Sequence, residues 1–409
     1  MTQSPDTTKI LFRTLVSMQG EILENGELLL ADGKVQSLSR TRTQTGADTT
    51  LDLSDHLILP GFVNAHCHLA LSALQGRVPY KEKFTDWVRE LVPLNAGLAL
   101  AERVDSLHRA SGTLLRSGVT ALGDYLAEPQ LLEEYVRLPF RKMIFLEALG
   151  FKRELADSLS EGIERVLSAT RTDDLLKLGI APHAPYTVSP LLFQKLHALS
   201  KQYDVPFSCH VAEFPEELRF LKDGGGDMRT LHQDLGSCDA AWQAPGGSPL
   251  VYLDSLKVLE FMTAVHLNHI DGEADLLRAR TMRAVFCPGS TRWFGRKQWM
   301  PVRELLDRGV SVALGTDSLA SNESLNFLRE LKIAEEMLPA VSRMELLEMA
   351  TLGGAEALGM EAGRIAPGRP ADFVGFRLDK VPVSWADIPF SRDAVDFLMI
   401  AGQTILGEP

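Results

Sequence analysis

The sequence predicts an α/β fold, a (β/α)8 TIM barrel carrying a small β-sandwich domain built from both termini. Three observations predict it. From about residue 57, eight short apolar runs alternate with stretches of helical periodicity, the pattern of βα units around a parallel sheet. Several runs are entered through Gly or Pro, as in Ser117-Gly118-Val119 and Arg308-Gly309-Val310. Strand-like segments outside that series lie at both ends of the chain. Pairing them gives a composite domain of 1–56 plus 364–409 beside a barrel of 57–363.

The elements follow in order. In the first 55 residues Ile10-Leu11-Phe12, Glu27–Leu30 and Val35–Leu38 flank Asn25-Gly26 and Asp32-Gly33. Those dipeptides suit tight hairpins because Asn, Asp and Gly tolerate positive φ. A polar stretch, TRTQTGADTT, reads as a loop. The barrel runs are Leu57–His68, Val119–Tyr125, Lys142–Leu149, Leu176–His183, Pro206–Val211, Ala264–Ile270, Ala284–Cys287 and Val310–Thr316. Between them lie amphipathic segments such as Ala101–Arg116, Leu191–Lys201 and Leu325–Met337. A long loop after the first run, and Phe214–Phe261 with its GGGD and APGGSP, read as insertions on the face where βα loops gather. A helix at Ala350–Leu358 precedes GRIAPGRPADFV, a turn into a last group of strands.

Composition narrows the function classes. The chain has 409 residues, 45% of them hydrophobic and 23% charged, enough to bury a large core without disulfides or metals. Its net charge of −12 disfavours nucleic acid as a partner, since gripping phosphates requires clustered cations. Four scattered cysteines, Cys67, Cys209, Cys238 and Cys287, form neither a disulfide framework nor a CxxC zinc site. The start lacks a basic segment followed by an apolar stretch, and no run approaches the roughly 18 apolar residues of a membrane span. A cytoplasmic protein without a membrane partner is expected.

Histidine placement carries the chemistry. In Pro60-Gly61-Phe62-Val63-Asn64-Ala65-His66-Cys67-His68, residues i and i+2 of a strand share a face. His66 and His68 therefore aim into the barrel together, and Cys67 faces the helices. Two imidazoles at a strand end suit a divalent metal such as zinc. His210, in SCHVAE, ends another buried run and offers a third imidazole, with Glu213 three residues on. A carboxylate just past the strand end can move protons to and from metal-activated water; a solvated first-turn carboxylate is the bland alternative. Asp317, in LGTDS, leaves an apolar strand and either binds metal or caps a helix. His266 and His269 are three apart, so at most one faces the centre; His266 lies deeper in its run. His183 ends the fourth run, where it can touch substrate. His56, His108, His197 and His232 have no chemical neighbours in sequence.

Taken together, PGFVNAHCH, HVAE, VHLNH, CPGSTRWFG, LGTDSLASNESLN and GRIAPGRPADFVGF make the chain resemble the amidohydrolase superfamily, in its branch of metal-dependent cytosine, guanine and adenosyl-type deaminases and triazine hydrolases. The resemblance implies one divalent metal, zinc by donor type with Fe2+ or Mn2+ also compatible, held by His66, His68, His210 and Asp317. It implies Glu213, His266 and Asp317 as catalytic residues. Binuclear members use a carboxylated lysine on the fourth strand; here Lys177 sits near the start of that run, which favours a single metal.

Within this branch, Glu213-Phe214-Pro215-Glu216-Glu217, PGGSPLVYLDSL and STRWFG look most similar to the aminodeoxyfutalosine deaminases of menaquinone biosynthesis. The implied reaction is hydrolytic deamination of an adenine nucleoside, with ammonia leaving the attacked ring carbon. Eight positions after Trp87, where adenosyl-type deaminases usually carry an acidic residue, this chain has Asn95. His183, Trp87, Trp293 and Ser318 are the expected substrate contacts, with Phe294 able to stack on a planar ring. Alternative substrates are guanine, pterin or triazine rings. A cyclic amidase of the imidazolonepropionase kind and a non-catalytic barrel are the other readings. A homodimer is compatible with such barrels.

Overall fold

The computed structural model describes residues 7–20, 22–43, 46–378, 388 and 390–407. Parts of the expected composite domain, including 1–6 and 379–387, lie outside the described residues. The N-terminal strands are β1 (Thr7–Val16), β2 (Ile22–Glu24), β3 (Glu27–Ala31), β4 (Lys34–Ser39) and β5 (Thr49–Pro60). The turn dipeptides act as their chemistry predicts: Asn25 and Asp32 take φ of 51° and 53°, and Gly33 takes 70°.

Eight parallel strands follow. They are β6 (Phe62–Cys67), β7 (Val119–Leu126), β8 (Arg141–Ala148), β9 (Leu176–Pro182), β10 (Ser208–Val211), β11 (Thr263–His266), β12 (Arg283–Phe286) and β13 (Ser311–Leu314). They pair in sequence order as two groups of four, β6–β9 and β10–β13. Parallel bridges Ile180↔Phe207 and Cys67↔Asp317 join the groups and close the barrel. Inward residues Val63, Ala65, Ala121, Met143, Val265 and Val285 form its interior core. Amphipathic helices Leu100–Arg116, Pro190–Tyr203 and Phe327–Met337 pack outside.

The chain ends in β14 (Phe373–Arg377), β15 (Phe397–Ile400) and β16 (Gln403–Leu406). β14 pairs antiparallel with β5, Phe373 opposite Pro60 and Phe376 opposite Leu57. Both termini thus contribute to one eight-stranded sheet, ordered β16-β15-β14-β5-β1-β3-β4 with β2 on β1. Its separate core holds Ile10, Phe12, Leu28, Ile58 and Phe373.

The structure corrects four element boundaries. The run Leu57–His68 is two strands, because its first residues extend β5 and the barrel begins at Phe62. The break falls at Gly61, where Thr120 occupies the space a Cβ would need. The run Ala264–Ile270 is a strand only to His266. The helix at Ala350–Leu358 is Leu352–Leu358, preceded by a second helix, Arg343–Met349. Phe214–Phe261 carries three short helices, Pro215–Asp223, Gly226–Asp234 and Pro249–Ser255.

Candidate active site

The C-terminal ends of the barrel strands bring the expected residues together. His66 and His68 leave β6 on one side, as strand alternation requires, and Cys67 is buried opposite, its thiol 3.2 Å from Asp124. His210 leaves β10. Its Nδ1 donates to the His183 carbonyl at 2.7 Å, which turns Nε2 inward to 3.3 Å from His68 Nε2. One donor atom from each of His66, His68 and His210 lies within 4.8 Å of the others. Glu213, His266 and Asp317 form an adjoining group of the same tightness, and His66 Nε2 lies 3.8 Å from Asp317 Oδ1.

Asp317 is held from several directions. Ser318 N donates to Oδ1 at 2.7 Å, and the Ser290 and Ser321 hydroxyls donate to Oδ2 at 2.6 and 3.1 Å. The next helix begins only at Phe327, so Asp317 caps none. Asn64 steadies this strand exit. Its amide donates to Thr316 Oγ1 at 2.9 Å and accepts from Thr316 N at 3.1 Å.

Backbone strain concentrates here. Ala212, His266 and Leu267 take φ of 53°, 77° and 47°, and Asp317, a residue type that tolerates this region, takes 58°. Positive φ is costly for side chains other than Gly, Asn and Asp, and it gathers where the surroundings enforce a functional geometry.

These residues fit a divalent cation. His66 is fully buried, yet neither ring nitrogen has a hydrogen-bond partner, a cost that a Lewis acid would remove. Burial and the neighbouring imidazoles pull His68 down to about 3. His68 therefore keeps a lone pair for coordination at neutral pH.

Glu213 lies beside the group. Its Oε1 is 3.4 Å from His266 Nε2 and 2.8 Å from Arg296 Nη2. Arg296 also donates to the Glu213 carbonyl and lies over the Phe214 and Phe294 rings, 4.0 and 4.8 Å from their centroids. Burial pushes the Glu213 carboxyl up to about 8, with Arg296 pulling the other way. Glu217 fixes the turn by accepting from Ala212 N and Glu213 N at 3.1 and 2.9 Å.

A cavity of about 520 Å³ opens over these groups. His183, Ser318, Trp87 and Phe294 line it. Trp87 stands on the helix Phe84–Ala96 rather than in a loop. Trp293 is not part of the lining; it packs edge-on against Trp87 and Phe294, with ring centroids 6.4 and 4.8 Å away. His269 stays out of the two donor groups. His56, His108 and His197 belong to neither group; His232 lines the cavity, where it is bound by Ser237 and the Tyr186 carbonyl.

Sequence reasoning missed Arg296, Glu217, Asn64 and Glu147. Asn64 carries a readable signal, a fully buried amide inside the HxH strand. Arg296 carries none, since it lies 83 residues from the carboxylate it meets.

Comparison with known proteins gives relatives in both sequence and fold. The chain is 30% identical over 373 residues to the 5'-deoxyadenosine deaminase of Methanothermobacter thermautotrophicus, covering 86% of this chain and 81% of that protein. A solved adenosine deaminase from Xanthomonas campestris with bound zinc superposes with a TM-score of 0.85 at 25% identity, over 98% of this chain and 93% of the other. The fold is also that of the Helicobacter pylori aminofutalosine deaminase in complex with methylthio-coformycin, at a TM-score of 0.83 and 22% identity over 98% and 100% of the two chains. A model of the amidohydrolase family matches residues 57–405, nearly the whole length, and the chain belongs to that family.

Proposed function

We propose that the chain is a hydrolytic deaminase of an adenine nucleoside, replacing the 6-amino group by oxygen and releasing ammonia. The observation that carries this reading is Glu213, buried beside a four-residue donor set and at the floor of a cavity that can take a planar ring. A divalent cation, most simply zinc, would be held by His66, His68, His210 and Asp317 and would supply activated water at neutral pH.

The chain's own residues do the rest. Glu213 Oε1 accepts a proton from the attacking water and returns it to the ring nitrogen next to the attacked carbon. His266, 3.4 Å from that oxygen, orients the nucleophile, and Asp317 aligns it from the opposite side. Once the tetrahedral carbon has formed, Glu213 takes the remaining proton from its new hydroxyl and passes it to the departing amine; the oxygen becomes a carbonyl as the C–N bond breaks, and ammonia leaves neutral. Phe294 and Trp87 give the base an apolar face and exclude bulk water. Ser318 and His183 contact the substrate's polar edge.

The outer cavity supports a finer reading, a substrate such as aminodeoxyfutalosine with a bulky 5' arm and a place in menaquinone biosynthesis. Val92, Leu149, Leu155 and Leu235 line it while remaining more than a third exposed, an apolar rim beyond what a bare nucleoside covers. Among the described residues no helix is long and apolar enough to cross a membrane, and the four cysteines are unpaired. Both fit a reducing cytoplasm.

Ammonia release from adenine nucleosides with 5' groups of increasing size, alongside guanine, pterins and triazines, tests the assignment. Turnover should be confined to adenine nucleosides and rise with an apolar 5' arm. A response to a non-nucleoside alone would overturn it.

A further inference from the structure

The cavity wall carries a carboxyl that the reaction above does not use. Glu147 is the next-to-last residue of β8, and its side chain is 6% exposed. It lines the cavity, and its Oε1 is buried without a hydrogen-bond partner. His210 Nδ1 lies 4.0 Å from Oε1, and that nitrogen already donates to the His183 carbonyl. A buried carboxyl oxygen with no donor is costly. At a cavity wall it is a place prepared for a donor that arrives with a ligand.

The neighbourhood says which donor. A ring nitrogen of His183 lies within 4.8 Å of the Glu147 carboxyl. The Thr187 hydroxyl donates to the Ala184 carbonyl at 3.2 Å, so its oxygen can accept from His183 Nδ1, 2.7 Å away. That bonding assigns the proton to Nδ1 and leaves a lone pair on Nε2. Glu147 and His183 thus present two adjacent acceptors, and the ligand must bring two adjacent donors. A second metal ion does not suit this corner, because His210 Nδ1 is committed to the His183 carbonyl and only two ligands, Glu147 and His183 Nε2, would remain.

We propose that Glu147, beside His183, grips neighbouring hydroxyls of the substrate's sugar and so sets a preference for ribonucleosides over their deoxy analogues. This rests on the nucleoside reading above.

The test uses the metal-loaded, full-length protein with an adenine ribonucleoside and its 2'- and 3'-deoxy analogues. Leaving a buried acceptor without its donor is costly, which leads us to expect that the wild type loses about 10–100-fold in kcat/KM on at least one deoxy analogue. Glu147→Ala should lose a similar factor on the ribonucleoside and little more on that analogue. Glu147→Gln, which keeps one acceptor, should fall between them and guards against a variant that fails to fold. Equal losses on all three substrates, or a lower metal content in either variant, would overturn the assignment. A wild type that deaminates no adenine nucleoside would instead remove the reading on which it stands.

Discussion

The guanidinium of Arg296 lies 2.8 Å from Glu213 Oε1 and rests on the Phe214 ring, 4.0 Å from its centroid. The proton carrier is therefore tied to the aromatic wall by a cation whose side chain is only 7% exposed. Burial, with the Asp317 and Glu217 carboxylates behind it, raises the Glu213 carboxyl, and Arg296 opposes that rise. Removing the cation, as in Arg296→Met, should raise it further. Because Glu213 acts first as a base, the acidic limb of the kcat/KM profile should move to higher pH, by about one unit or more. The variant should lose more activity at pH 6 than at pH 9. A limb that stays in place would show that Arg296 only packs.

Glu213→Gln tests the proton transfer itself. The substitution keeps size and one acceptor oxygen but cannot carry a proton. Turnover should fall by about 10²–10⁴ while bound metal stays at the wild-type level. Wild-type turnover in this variant would exclude the assigned role.

Gly315 offers a way to disturb the donor set without touching a donor. A Cβ there would lie 2.8 Å from His66 Cβ and 2.9 Å from its carbonyl oxygen. Gly315→Ala must push β6 or β13 aside and move His66. Displacing a ligand's support typically weakens metal affinity about 10–100-fold, so the variant should lose metal to a chelator that leaves the wild type loaded. Excess zinc should restore part of the ammonia release. Unchanged metal retention would argue against His66 as a ligand.

Lys142 gives a prediction away from the site. It is 1% exposed, its Nζ donates to the Leu138 carbonyl at 2.6 Å, and burial pulls it down to about 8 from 10.5. Below pH 8 the amine is charged in both states, and the folded protein bears the cost of burying it. Between pH 8 and 10.5 the folded chain sheds this proton while the unfolded chain keeps it, so folding gains. Lys142→Met should therefore melt higher than wild type at pH 7, with the gap narrowing by pH 10. A gap independent of pH would contradict the argument.

Much of the fold and the metal-donor group was legible because it rests on local periodicity. Alternation alone puts His66 and His68 on one side of a strand, and Asn25 and Asp32 declare their turns. What could not be read depends on closure of the barrel. Glu147 looks like an ordinary charge ending an apolar run until β9 places His183 next to it. The extension of β5 to Pro60 becomes visible only with β14, more than 300 residues later, as its partner. Trp87 resisted for another reason: Pro93 lies inside its helix, and a proline there reads as loop.

The two four-stranded groups meet along two seams, and the donor set straddles one of them. His66 and His68 belong to the first group; His210 and Asp317 belong to the second. The bridge between Cys67 and Asp317 is thus both a structural closure and the line across which the site is assembled. A slight parting of the halves would separate the donors while every strand kept its neighbours within its own group. Loss of catalysis on gentle heating should then precede loss of helical signal, and a bound cation should delay the first more than the second.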